Sequence, residues 1–229
     1  MRWLVRLSGE REDLDTLARM QAADWSLISR DGAYYLQSNK FEGAATALDV
    51  IARARDFLPV LKGAAAALAG CGPVTIEGEV QEQRPDGTVT IHKILVDGFT
   101  VRGRVSLTFT GSGGTPAPHP IERWLAAADR NRNVEKALRL FGALEHSWRN
   151  LYLVLEAIED AVGGEKKLFA QPWSPPRLKD FKAVANSFAV IGEEARHSTE
   201  ARQPPTARMA LSEADALIAS ALSGWMNSL

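Results

Sequence analysis

At 229 residues the chain has length for one large domain or two small ones. Hydrophobic residues make up 45%, charged residues 24%, and the formal net charge is −1. That mix reads as a soluble globular protein. It excludes wholesale disorder and a protein whose main business is coating nucleic acid or an anionic membrane. No apolar run approaches the roughly 20 residues needed to cross a bilayer, and Met1 to Gly9 reads as a strand without a signal peptide's features. A single cysteine, Cys71, allows no intramolecular disulfide, so a reducing cytoplasm is the expected location.

In chain order, Arg11 to Gln21 places Leu14, Leu17 and Ala18 at helical spacing. Trp25 to Arg30 and Ala33 to Ser38 flank Asp31-Gly32, a two-residue hairpin signal. Ala44 to Ala69 reads as a helix that Pro59 kinks or splits, with an alanine run suited to close packing on a sheet. Val74, Ile76, Gly78 and Val80 alternate with Thr75, Glu77, Glu79 and Gln81, giving a dry and a wet face. Pro85-Asp86-Gly87 turns the chain into a strand over 88–96, and 99–109 alternates as a further strand. The first half is therefore an α+β domain over 1–110, a mostly antiparallel sheet with two helices; a ferredoxin-like start is the nearest simple topology.

Residues 111–120 hold three Gly and three Pro and read as a linker. From 121 to 229 the pattern is helical: Ile121 to Asp129, Asn133 to Leu144, His146 to Val162, Leu178 to Glu194 and Ala210 to Leu229. Gly163-Gly164 ends the third of these, and Ser212 with Asp215 makes a capping box for the last. Short connections between such helices predict an antiparallel bundle.

Chemistry is sparse. His92, His119, His146 and His197 stand far apart and no Cys pair exists, so neither a metal nor a cofactor is expected. No Gly-rich nucleotide loop or nucleophile elbow is present. Cys71 has no local base or cation and reads as a small buried residue. Outward Arg102 and Arg104 with His92 and Lys93 offer a basic sheet surface, for which Glu77 and Glu79 are the natural partners. Arg149, Glu156 and Asp160 form one polar stripe on the central helix. A locally positive loop runs from Arg196-His197 through Arg202 to Arg208, suited to a phosphate or carboxylate. If Glu156 faces that loop, Glu156 and His197 make an acid/base pair.

Arg139 and His146, spaced R-x6-H, resemble the loose signature of HEPN domains. That resemblance implies a metal-independent ribonuclease in which Arg and His activate the ribose 2′-hydroxyl. Leu140 follows Arg139 where that family usually carries a polar residue. A second resemblance covers roughly 134–226. The run Trp148-x-x-Leu151-Tyr152-x-x-x-Glu156, Ala185-Asn186, Ala195-Arg196-His197 and Met209 to Glu213 resemble a set of uncharacterised bacterial proteins. It directs attention to Tyr152, Glu156, Asn186, Arg196 and His197 rather than to Arg139 and His146. The expected function is a non-enzymatic recognition or regulatory module for a protein or small anionic ligand, bound through Asn186, Arg196, His197, Arg149 and Tyr152. The alternative is a HEPN-like ribonuclease, with RNA as substrate and His197, Arg196 and Glu156 as catalytic candidates.

Overall fold

The structure, a computed structural model, describes residues 1–94, 119–143, 145–196 and 205–229. The expected strand over 99–109, most of the linker, Arg102, Arg104, His197 and Arg202 lie outside the described residues. The chain divides into two compact units, Met1–Arg123 and Trp124–Leu229.

The first unit runs β1 (Arg2–Gly9), α1 (Arg11–Arg19), β2 (Trp25–Arg30), β3 (Ala33–Ser38), α2 (Ala47–Ala69), β4 (Val74–Gln83) and β5 (Val89–Lys93). The strands form one antiparallel sheet in the order β2-β3-β1-β4-β5. Because β1 lies between β3 and β4, the connections through α1 and α2 each skip a strand. This is the split arrangement of ferredoxin-like folds, extended by β5. The β2–β3 turn is built on Asp31 (φ 51°) and Gly32 (φ 77°), the left-handed pair that a two-residue hairpin requires.

Helix α2 runs unbroken through Pro59, so the chain is not split there. It begins at Ala47 because Thr46 and Asp49 cap it reciprocally: Asp49 N–H donates to the Thr46 hydroxyl, and Thr46 N–H donates to the Asp49 carboxylate. Gly70 (φ 65°) closes its other end, and the Ala64–Ala65 stretch is fully buried. Trp3, Val5, Leu7, Leu27, Leu36 and Val80 form the dry face of the sheet.

The opposite face carries a polar network where the β1–β4 register shifts by two residues, so that Arg6 faces both Glu77 and Glu79 across Gly78. Arg6 pairs with Glu77 at 2.7 Å and with Glu79 at 3.2 Å, and the Tyr35 hydroxyl donates to Glu79 at 3.0 Å. Of the cations expected to face these carboxylates, Arg102 and Arg104 lie outside the described residues; among the described residues the cation that pairs with both is Arg6 on β1. Burial works against the charged Glu79, but hydrogen bonds from Gln81, Tyr35 and Arg6 outweigh it and hold its pKa below the usual carboxylate value of 4.5. A carboxylate whose folded pKa is depressed contributes stability that is present above about pH 4.5 and lost as pH falls further. Glu79→Gln is therefore expected to cost the first unit about 1–3 kcal/mol at pH 7 and to flatten its acid loss of stability. Urea denaturation at a series of pH values checks both.

The second unit is helical: α3 (Pro120–Arg130), α4 (Arg132–Ala143), α5 (Trp148–Val162), α6 (Glu165–Phe169), α7 (Leu178–Ala185), α8 (Phe188–Ile191) and α9 (Leu211–Ser228). The division between units falls inside α3. Pro120 occupies the first helical position, where its missing N–H costs nothing, and the ring of His119 accepts from Ile121 N–H at 3.3 Å. Central α5 packs against α4 and α9 through Leu151, Val154, Leu155 and Ile158, all essentially solvent-free. The capping expected from Ser212 and Asp215 is replaced by Glu213, whose carboxylate accepts from Ala210 N–H at 2.8 Å. The helix starts two residues earlier than that box requires, which leaves Asp215 for another contact.

Candidate functional site

The expected helix over Leu178 to Glu194 breaks at Asn186. Its side-chain Nδ2 donates to the Lys182 carbonyl at 2.8 Å, alongside the backbone N–H of the same residue at 3.2 Å. Such local side-chain competition ends helices. The chain then makes the short α8, reverses at Gly192 (φ 61°), and returns so that Arg196 N–H donates to the Ala185 carbonyl at 2.9 Å. This loop sets Arg196 beside Asn186, ten residues earlier in sequence.

Tyr152 and Glu156 lie one turn apart on α5 and meet that loop. The Arg196 guanidinium lies over the Tyr152 ring, 4.6 Å from its centroid, and donates to Glu156 at 2.7 Å. Asn186 Nδ2 also reaches the Tyr152 hydroxyl at 3.4 Å, while Asn186 Oδ1 is buried without a hydrogen-bond partner among the described residues. The Arg196 and Glu156 side chains are 35% and 32% exposed, so the pair sits at the surface. Phe181 packs behind, its ring 6.1 Å from Tyr152 and 5.8 Å from Trp148.

Lys182, Glu159 and Glu165 extend the cluster and were not singled out from sequence. The Lys182 ammonium lies 5.9 Å from the Tyr152 centroid and pairs with Glu159 at 2.9 Å and Glu165 at 2.8 Å. Burial opposes its charge, yet the two carboxylates outweigh that and raise its pKa above the ordinary lysine value. The available signal was Glu159 standing three residues after Glu156 on the same helix face.

Of the residues expected to form the site, Tyr152, Glu156, Asn186 and Arg196 come together. His197 follows Arg196 but lies outside the described residues, so the Glu156/His197 pair does too. Arg149 is exposed on the first turn of α5, and no described contact joins it to the cluster. The polar stripe divides: Glu156 holds Arg196, whereas Asp160 is solvent-exposed beside Lys136 at 3.9 Å. Arg208 folds onto the carbonyls of Pro205 and Ala207.

Arg139 is tied to Glu135 on its own helix at 2.8 Å. His146, in the turn before α5, has Nε2 2.9 Å from the Phe141 carbonyl and Nδ1 2.8 Å from Asp215 on α9. In the first unit His92 lies on the dry face beside Trp3, not on the outward surface expected for it. With Glu82 and the start of α2, these residues line a cavity of about 440 Å³. Sequence reading missed that cavity because its walls come from three strands and a helix end. Cys71 is buried, as expected of a small packing residue.

Among the described residues no group of three or more His, Cys, Asp or Glu could hold a metal ion. None of their helices is long and apolar enough to cross a membrane. No protein-family model matches the chain, and no curated protein or solved structure matches it either.

Proposed function

We propose that the chain is a non-enzymatic recognition or regulatory module whose helical unit binds an anionic group, on a small ligand or a protein partner, through Arg196. The observation that carries this reading is the double restraint on that one side chain. Tyr152 supports the guanidinium plane and Glu156 holds one edge, which restrains the orientation of the fork while the Arg196 side chain stays 35% exposed. A pre-positioned fork binds a planar carboxylate or a phosphate bidentately with little further ordering cost. The loop from Arg196 through Arg202 to Arg208 adds positive charge in sequence.

A HEPN-like ribonuclease at Arg139 and His146 has less support. Both ring nitrogens of His146 face acceptors, which leaves neither available to take a proton from a ribose hydroxyl. The same chemistry at Arg196 and His197 would need Glu156 as a base, and Glu156 is engaged by Arg196. Incubation of the full chain with labelled total RNA in EDTA separates the readings. The expected result is no cleavage above that of Arg196→Ala, His197→Ala and His146→Ala variants. Cleavage that disappears in any of them, leaving 2′,3′-cyclic phosphate ends, would overturn the recognition reading.

A further inference from the structure

The first unit holds a cavity that the anion reading does not use. It lies at the end of the sheet where β1 and β2 begin and β3 ends, because the antiparallel order β2-β3-β1 sets those three termini side by side. Trp3 and Trp25 wall it from the strands, and Phe41 and Glu42 wall it from the turn that follows β3. Its volume is about 240 Å³, room for a small ring with one polar substituent.

The two tryptophans are 5% and 3% exposed, and neither indole Nε1 has a hydrogen-bond partner among the described residues. A buried indole N–H ordinarily finds an acceptor, because leaving it unpaired costs the full desolvation of the donor. Here two such donors, carried by different strands, belong to the walls of one cavity. Together they call for an acceptor that the described residues do not supply.

The rest of the lining narrows the class of occupant. Arg2 supplies one cationic side chain, while Asp24 and Glu42 supply two carboxylates. Asp24 already accepts from Asn39 Nδ2 at 2.9 Å, whereas the Glu42 carboxylate has no partner among the described residues. That balance disfavours an anion. Neutral donors on the strands and a carboxylate on the turn suit a group that carries a carbonyl oxygen and an N–H together, which is a carboxamide. We propose that this cavity binds a small neutral ligand bearing a carboxamide on a flat ring. Its carbonyl oxygen accepts from the Trp3 and Trp25 indoles, and its N–H donates to Glu42. Arg196 belongs to the other unit, so this site and the anion reading stand or fall independently.

The test titrates benzamide into the full chain, with benzoate as its charged counterpart of the same shape. The indole N–H resonances, assigned through bonds in the wild type, give a readout that does not depend on how any variant folds. Benzamide is expected to move those of Trp3 and Trp25 downfield, as each donor gains an acceptor, and benzoate to bind about tenfold more weakly. Trp3 also lines the larger cavity beside His92, so Trp25 is the position that tells the two cavities apart. Trp25→Phe keeps an aromatic wall and removes the donor, and it should weaken benzamide about tenfold. If the Trp25 resonance does not move with benzamide, if benzoate binds as tightly, or if Trp25→Phe binds as the wild type does, the proposal is overturned.

Discussion

Phe181→Ala is expected to destabilise the helical unit by about 3–5 kcal/mol, the range for deleting a fully buried aromatic ring. Phe181 is solvent-free on α7, stacked against Trp148 and Tyr152 of α5, so its removal leaves a cavity that two large rings must partly fill. The effect has a functional side. Tyr152 is the platform beneath the Arg196 guanidinium, and without Phe181 behind it the ring gains room to move away from that position. Urea denaturation followed by tryptophan fluorescence reads the loss, with Trp148 reporting directly on the contact. Phe188→Ala is the control, because Phe188 is 38% exposed on α8 and should cost no more than about 0.5 kcal/mol. Equal costs at the two positions would show that α7 does not pack on α5 as described.

Gly78→Val is expected to cost the first unit about 3 kcal/mol, with Gly78→Ala intermediate. Gly78 sits at φ 85° in the middle of β4, a conformation that L side chains, and β-branched ones above all, adopt only at a cost. The strain arises where β4 fits two extra residues opposite β1 and thereby presents Glu77 and Glu79 together to Arg6. A valine that forced φ negative would straighten the strand and separate those carboxylates. Denaturation of the first unit, with hydrogen exchange at the β1 and β4 amides, measures both consequences. Wild-type stability in the valine variant would mean that the irregularity is not held by Gly78.

Much of the fold was legible because local signals and burial agreed. Asp31-Gly32 could turn the chain in few other ways, and the strands on either side came out with the expected bounds. The alternation of Val74, Ile76, Gly78 and Val80 survives the β4 irregularity because a shift of two residues returns every side chain to its own face. Local pattern misled where a side chain outside the apolar stripe decided the outcome. Asn186 takes the Lys182 carbonyl and ends a helix that periodicity would carry on to Glu194. Asp215 looked like a cap from its spacing to Ser212, but Glu213 serves that purpose two residues earlier in the helix.

The site was half legible. Tyr152, Glu156, Asn186 and Arg196 were singled out together from the sequence, and the return of the chain at Gly192 brings them together. Lys182 was missed because a lysine on an amphipathic helix gives no sign that two carboxylates and a tyrosine will surround it. Nor could spacing reveal that Arg6, more than seventy positions away along the chain, would pair with both Glu77 and Glu79.

The central proposal is that Arg196 binds the anion. Isothermal titration of inorganic phosphate, and separately of succinate, into the full chain at low ionic strength tests it beside Arg196→Lys. Lysine keeps the charge but loses the planar fork and its stacking on Tyr152. The predicted result is binding of at least one of the two anions, weakened about tenfold or more in Arg196→Lys, a difference of about 1.4 kcal/mol, with the helical content of both proteins unchanged. Equal affinity in the two proteins, or no binding of either anion to the wild type, would contradict it.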